Sequence, residues 1–418
     1  MHAAIAACLY YADPCSRLHA ATAPIPVTKT GKFMLRPKTA FSRRQFIAAS
    51  TAAAATWTGA VCAQDAGGTI VLGQSCPLTG SAAQIGQPFH EGAKLYFEQL
   101  NAQGGIARRN IELRVMDDGY EPERCAANTQ RFLSDDVFAL FGYVGTSTSM
   151  AALPLLQKAR VPLFAPLTGA DALRQPQLAQ LVFNVRASYA DETALMVRHL
   201  TGLGLKKVAV LHQNDAYGES GLAGVKAALA AKGLEPVGAA TVERNSNNVA
   251  AAVKTLVPLG ADVIVQIVTY SASAAFVRAA RQAGFGGQFY NVSFVGSQAL
   301  AQTLGKDAEG VVVTQVVPSP FQTSRQITRD FLAAIQKGGG KLTPNYSSME
   351  GYLAARVFAD ALRQASASGK PTRDGLVAAL DAMHGQQVAG FPLAFKPQSA
   401  KPRFVELSML TGDGKVRV

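Results

Sequence analysis

Asp262-Val263-Ile264-Val265-Gln266-Ile267-Val268 is a short, β-branched, almost wholly apolar run, and the alanine-rich segment Ser273–Ala283 begins just beyond it. A strand that is apolar on both faces belongs in a sheet covered on both sides. A strand passed on to a helix in this way is half of a βαβ unit. The same alternation extends in both directions. Further strand-like runs occur at Thr69–Gln74, Ile111–Met116, Lys207–His212 and Gly310–Gln315. Helix-like segments lie between them at Pro88–Asn101, Arg124–Ser134, Ser149–Ala159, Asp191–Leu203, Glu219–Lys232 and Val249–Leu256. The series runs twice, over roughly 68–187 and 189–317, with no detectable sequence repeat. Helices are expected at Gln326–Lys337, Ser348–Ala367 and near Gly375–Met383, and strands at Pro392–Phe395 and Phe404–Leu410. The pattern predicts an α/β protein of two doubly wound parallel-sheet lobes, with the cleft between them as the natural place for a small ligand.

The chain has 418 residues, of which 48% are hydrophobic and 16% charged, which excludes wholesale disorder. No unbroken apolar run of membrane-spanning length occurs beyond residue 63, which excludes a multi-span membrane protein. Ser42-Arg43-Arg44-Gln45-Phe46-Ile47 opens an alanine-rich stretch that ends in Val61-Cys62-Ala63. A basic start, an apolar middle and a small-residue site read as a secretory signal, here of the twin-arginine type. The expected mature protein is periplasmic and begins near residue 64, and both Met1 and Met34 stand as possible starts. Removing 1–63 leaves 33 basic and 27 acidic residues, a net charge of +6, with no basic block and so no nucleic-acid footprint. Only Cys76 and Cys125 remain, and both a disulfide and two free thiols stay open. Metal-ligand spacing of Cys and His is absent, so neither a metal nor a cofactor is expected.

Several segments, taken in order, carry a resemblance. Gly73-Gln74-Ser75-Cys76-Pro77-Leu78-Thr79-Gly80-Ser81-Ala82-Ala83-Gln84-Ile85-Gly86 precedes Gly92, and Asn101-Ala102-Gln103-Gly104-Gly105-Ile106 and Asp117-Asp118 follow. Then come Phe141-Gly142-Tyr143-Val144-Gly145-Thr146-Ser147-Thr148-Ser149, Asp215-Ala216-Tyr217-Gly218 and Phe276–Gly284. The chain resembles the type I periplasmic substrate-binding proteins of ABC importers, in the leucine/isoleucine/valine-binding-protein family, over about 70–412. The resemblance implies two lobes joined by a multi-crossover hinge: 64–188 with 318–390, and 189–317 with 391–418. It implies an exported protein that captures a small carboxylate-bearing ligand in the cleft and delivers it to an inner-membrane ABC permease. A periplasmic ligand sensor coupled to a signalling partner is the alternative role.

Gly145-Thr146-Ser147-Thr148-Ser149 ends a strand and starts a helix, where hydroxyls and free N–H groups make an anion site. Plain helix capping uses the same hydroxyls, and that reading stays open. The resemblance places the ligand carboxylate on Thr146, with Ser147 adjacent, and the ligand's polar head on Leu167 and Thr168. It places Tyr217 and Tyr270 on the facing lobe, and Ile85 at the cleft edge. Hinge, ligand-contact and lobe-packing roles all stay open for Arg186, Ser188, Tyr189 and Gln315. One position departs from the family: Ser293 stands where amino-acid-binding members carry a glutamate for the ligand ammonium. A buried ammonium without a carboxylate partner is costly. The expected ligand is therefore an amine-free carboxylate, unless an acid such as Asp215 or Glu350 substitutes. An enzyme is not expected: no Gly-x-Ser-x-Gly elbow occurs, and His90, His199, His212 and His384 sit in no local catalytic motif.

Overall fold

In the computed structural model, residues 67–367, 369–396 and 403–418 are described. The expected export signal and both candidate start methionines lie outside them. The described residues form one compact unit. Its first sheet contains β1 (Gly67–Cys76), β2 (Arg109–Asp117), β3 (Ala139–Phe141), β4 (Leu163–Phe164) and β5 (Val182–Phe183). These pair in the order β2-β1-β3-β4-β5, all parallel. The connecting helices are α1 (Ala83–Ala102), α2 (Pro122–Ser134) and α3 (Thr146–Ala159).

The chain then builds a second sheet from β6 (Val208–Gln213), β7 (Gly238–Val242), β8 (Val263–Ile267), β9 (Gln288–Asn291) and β10 (Val312–Gln315). Between these strands, or ahead of them, lie α4 (Tyr189–Gly202), α5 (Ala216–Ala230), α6 (Ala250–Leu256), α7 (Tyr270–Gln282) and α8 (Ser297–Leu304). The five strands run in the order β7-β6-β8-β9-β10, the same winding as the first sheet. The repeat is therefore one of architecture. β8 is buried at every position, as its uninterrupted apolar run requires.

Three helices follow: α9 (Gln326–Lys337), α10 (Tyr346–Ala365) and α11 (Arg373–Ala382). α10 lies against α1 where two glycines meet the opposing backbone. A Cβ on Gly92 would sit 1.9 Å from the Ser348 carbonyl oxygen, and one on Gly351 2.0 Å from that of Phe89. Only glycine permits this approach. It lets Phe97, Phe141, Phe164 and Phe358 share one aromatic core, with neighbouring ring centroids 5.3–6.4 Å apart.

The chain ends in the hairpin β11 (Gln387–Val388) and β12 (Phe391–Pro392), then β13 (Glu406–Leu410) and β14 (Val416–Arg417). β13 adds antiparallel to β10, and β14 antiparallel to β13. The second sheet thus carries an antiparallel edge on its parallel strands. The strand expected at Pro392–Phe395 shrinks to Phe391–Pro392. Phe395 lies 5.9 Å from Phe183 and 6.4 Å from Phe164, centroid to centroid. The 391–395 stretch therefore covers the first sheet, although the expected boundary assigned it to the second lobe. Burial of an aromatic ring outweighs local strand propensity here.

Candidate functional site

Loops that leave the carboxyl ends of the parallel strands of both sheets meet: Ser147, after β3, bonds Asp215, after β6. Gly145, with φ of +103°, turns β3 into α3. A Cβ there would strike the Tyr120 ring at 2.6 Å. The turn delivers Thr146 as the first residue of α3, almost fully buried. No side chain caps this helix. The Thr146 hydroxyl instead meets that of Thr168, in the loop after β4, at 2.7 Å. Thr148 and Ser149 donate back to the carbonyls of Val144 and Gly145. Leu167 is tied into the same floor, its carbonyl accepting the Gly145 N–H at 3.2 Å.

Ser147 does something different. Its hydroxyl donates across the boundary to Asp215 Oδ2 at 2.9 Å. Asp215 also caps α5, accepting from the N–H groups of Tyr217 and Gly218 through Oδ1. Gln213 Nε2 adds a further bond at 2.8 Å. This acid is committed to holding backbone and lobe together. Arg244 and Asn245 continue the seam by reaching Glu121, while Ser81 meets Asn245.

Tyr217 is fully buried, packed at a tilt between Phe294 at 4.8 Å and Tyr189 at 5.4 Å, centroid to centroid. The Tyr189 hydroxyl in turn lies 3.5 Å from Thr168. Tyr270 opens α7 and is 8% exposed. Burial raises its hydroxyl pKa, opposed by a hydrogen bond to the backbone of Gln84 on the facing lobe. Ile85 and Leu167 line a small internal cavity of about 10 Å³, together with Arg186, Ser293, Gln315 and Glu350. A larger depression of about 610 Å³, near Thr69, Arg160 and Arg373, lies among none of the expected site residues. There Arg373 is paired with Asp136 at 2.6 Å.

Ser293 lacks a carboxylate of its own, and a carboxylate comes to it. Glu192, in the first turn of α4, accepts from the Ser293 N–H at 2.7 Å and from its hydroxyl at 3.0 Å. Thr314 on β10 donates to the same carboxyl group. Burial raises the pKa of Glu192, while Arg186 and these donors pull it back. Arg186 bonds the Ser293 hydroxyl through Nη2 and stands 3.8 Å from Glu192 and 3.5 Å from Glu350. Burial opposes its charge, and the two glutamates outweigh that effect and raise its pKa. Arg174 Nη2 donates to the carbonyls of Thr168, Arg186 and Ala187, which ties the Thr168 loop to the first crossover.

Sequence reasoning missed Glu192, Tyr120, Phe294 and Arg174. Glu192 follows Asp191, which forms a capping box with Ser188, so it reads as another helix-start acid. Tyr120 holds a left-handed φ of +67°, its N–H fixed by Asp118 and its hydroxyl by Gln213. Cys76 and Cys125 are both buried free thiols. Among the described residues no group of three or more His, Cys, Asp or Glu is placed to hold a metal.

Two similarly wound lobes, meeting at strand-end loops around a buried polar cavity, are the architecture of a solute-binding protein. The chain belongs to the periplasmic binding protein family, whose model matches residues 69–403, and within it to the type I leucine/isoleucine/valine-binding group. It is 25% identical over 378 residues to Leu/Ile/Val-binding protein homolog 7 of Brucella suis, covering 85% of this chain and 92% of that one. A possible leucine/isoleucine/valine-binding protein from Rhodopirellula baltica superposes with a TM-score of 0.77 at 33% identity, over 84% of this chain and 95% of the other. A substrate-binding periplasmic protein from Ralstonia solanacearum gives 0.77 at 32%, over 83% and 99%. These relatives are binding proteins, not enzymes.

Proposed function

We propose that this protein captures a small carboxylate-bearing ligand between its lobes and delivers it to an ABC importer permease of the branched-chain amino acid type. The observation that carries the reading is the Thr146–Thr168 contact of 2.7 Å at the start of an otherwise uncapped helix. Two hydroxyls from separate loops converge there beside free helix N–H groups, an arrangement suited to an anion. Thr146, Leu167, Thr168 and Ile85 form the first-lobe face, and Tyr217, Tyr270 and Ser293 the second, with Ser147 holding the two together. The lobes are assigned as 64–188 with 318–390 and 189–317 with 391–418, less the 391–395 stretch that packs on the first. Export by a twin-arginine leader cleaved near Ala63 belongs to the same reading.

A cavity of about 10 Å³ holds at most one water. Loading therefore requires the lobes to part at the crossovers and to close again on the ligand. Closure is favoured by as much as the ligand prefers the closed form. An amine-free carboxylate remains the favoured ligand. Asp215 is engaged as a cap, which leaves Glu350, paired only with Arg186, as the acid to face an amine.

A thermal-shift panel tests the reading. It pairs branched and aromatic amino acids with the matching amine-free acids, read with an external dye because the only tryptophan is Trp57. A ligand at about a hundred times its dissociation constant adds roughly 2.7 kcal/mol. Deleting the gene then separates the roles. Lost uptake supports the importer, and a lost response with intact uptake identifies a sensor instead.

A further inference from the structure

The least satisfied group at the lobe boundary is Arg186. Its side chain is 2% exposed and borders the cavity, yet Nη1 and Nε have no hydrogen-bond partner. Nη2 alone is bonded, to Ser293. Glu350 Oε1 lies 3.5 Å from Nε without hydrogen-bond geometry. Buried guanidinium N–H groups without acceptors are rare and costly, and the residue that carries these two lines the cavity. Glu192 does not satisfy them, because its carboxyl is already occupied by two donors from Ser293 and one from Thr314. Among the described residues no hydrogen bond reaches the Glu350 carboxyl group.

We infer that Nη1 of Arg186 is the anchor for the ligand's carboxylate, and that Glu350 takes up one proton as that carboxylate arrives. The inference rests on the ligand-binding reading above and moves the ligand anion from the Thr146–Thr168 pair to the hinge. Those two hydroxyls then take a neutral polar group of the same ligand.

Counting charges leads to the proton. The cluster holds one guanidinium and two carboxyl groups. Adding a ligand anion to three ionised groups would leave two net negative charges out of water, which is strongly unfavourable. One carboxyl must become neutral. Glu192 already accepts three hydrogen bonds and the Glu350 carboxyl accepts none, so the proton goes to Glu350. The charges that act on Glu350 are Arg186 at the first crossover and Glu192 on α4, and burial itself raises its pKa. At the α1–α10 crossing the groups nearest Gly351 are the Phe89 carbonyl and Ala93. A ligand bearing an ammonium would behave differently, since it would neutralise Glu350 directly and no proton would be taken up.

The test is isothermal titration of the purified protein with 4-methylpentanoate and phenylacetate, and with leucine and phenylalanine as their amine-bearing counterparts. Each is run in phosphate and in Tris, because a proton taken up on binding appears as a difference in apparent enthalpy between the two buffers. The expected result is that an amine-free acid binds with uptake of about one proton. Arg186→Lys keeps a charge opposite Glu192 but loses Nη1, and should weaken that acid at least ~10-fold. Glu350→Gln should bind the acid more tightly above neutral pH and abolish the proton uptake. Should Arg186→Lys fail to fold, Glu350→Gln carries the test alone. Wild-type affinity in a folded Arg186→Lys, or an amino acid bound without proton uptake and lost in Glu350→Gln, overturns the anchor but leaves the binding function intact. Absence of binding by all four probes overturns the anchor and the small-carboxylate reading together.

Discussion

Ser293 and Glu192 lie 101 residues apart in the chain, yet Glu192 accepts hydrogen bonds from both the N–H and the hydroxyl of Ser293. The acid missing from the loop after β9 is thus supplied in space by the first turn of α4. It arrives already paired with Arg186, so the polar centre of the boundary is an ion cluster and not a lone carboxylate.

Removing Glu192 tests that pairing. Glu192→Ala leaves the buried Arg186 with Glu350 as its only acid, and loss of one partner of a buried pair costs about 3–5 kcal/mol. Chemical denaturation should show a loss of this size. A loss below about 1 kcal/mol, the scale of an exposed ion pair, would show that Glu192 carries little of the cluster.

Thr146→Ala removes the hydroxyl that meets Thr168. Binding of the best ligand should weaken by roughly 1–3 kcal/mol, the scale of one unsatisfied buried polar partner. Calorimetric affinity measured beside an unchanged melting temperature is the check. Full affinity would take Thr146 out of the site.

Gly92→Ala acts on the helix crossing that positions Glu350. Its Cβ would fall 1.9 Å from the Ser348 carbonyl oxygen, which is backbone and cannot swing aside. Overpacking of this kind costs about 1–3 kcal/mol. The melting temperature should fall, and ligand affinity should fall with it because α10 is displaced.

Asp118 gives a pH signature. Burial raises its carboxyl pKa from 3.8 to about 6, against hydrogen bonds from the Tyr120 N–H and the Ser75 hydroxyl. A raised folded-state pKa contributes stability that is fully present below the unfolded value and lost as pH rises through about 6. His90 works in the opposite sense. Burial first, then Lys94, lowers its pKa from 6.5 to about 4, so its contribution is present above 6.5 and is lost as pH falls toward 4. The two partly cancel in the wild type, so the comparison to make is Asp118→Asn against wild type. The variant should gain relative stability between pH 4 and 7. A difference that stays flat over that window would show that Asp118 titrates normally.

Periodicity decided most of the architecture. Val263–Ile267 could only be a strand covered on both faces, and the alternating helices implied parallel connections. These are local signals, set by which side chains leave water and at what spacing. The strands β3, β4 and β5, of two or three residues each, were too short to show a period. The antiparallel edge and the docking of Phe395 on the first sheet depend on contacts far apart in the chain. The site divides in the same way. Thr146, Thr168 and Tyr217 follow strand-end motifs, so their place at the ends of strands is a local signal. The Glu192–Ser293–Arg186–Glu350 cluster is not, because its members come from α4, the loop after β9, the first crossover and α10, each unremarkable in its own segment. Hydrophobic spacing by itself determined two α/β lobes and the cleft between them. Only the closed tertiary structure decided which charges share that cleft, because the energy of a buried ion depends on its neighbours in space and not on its neighbours in the chain.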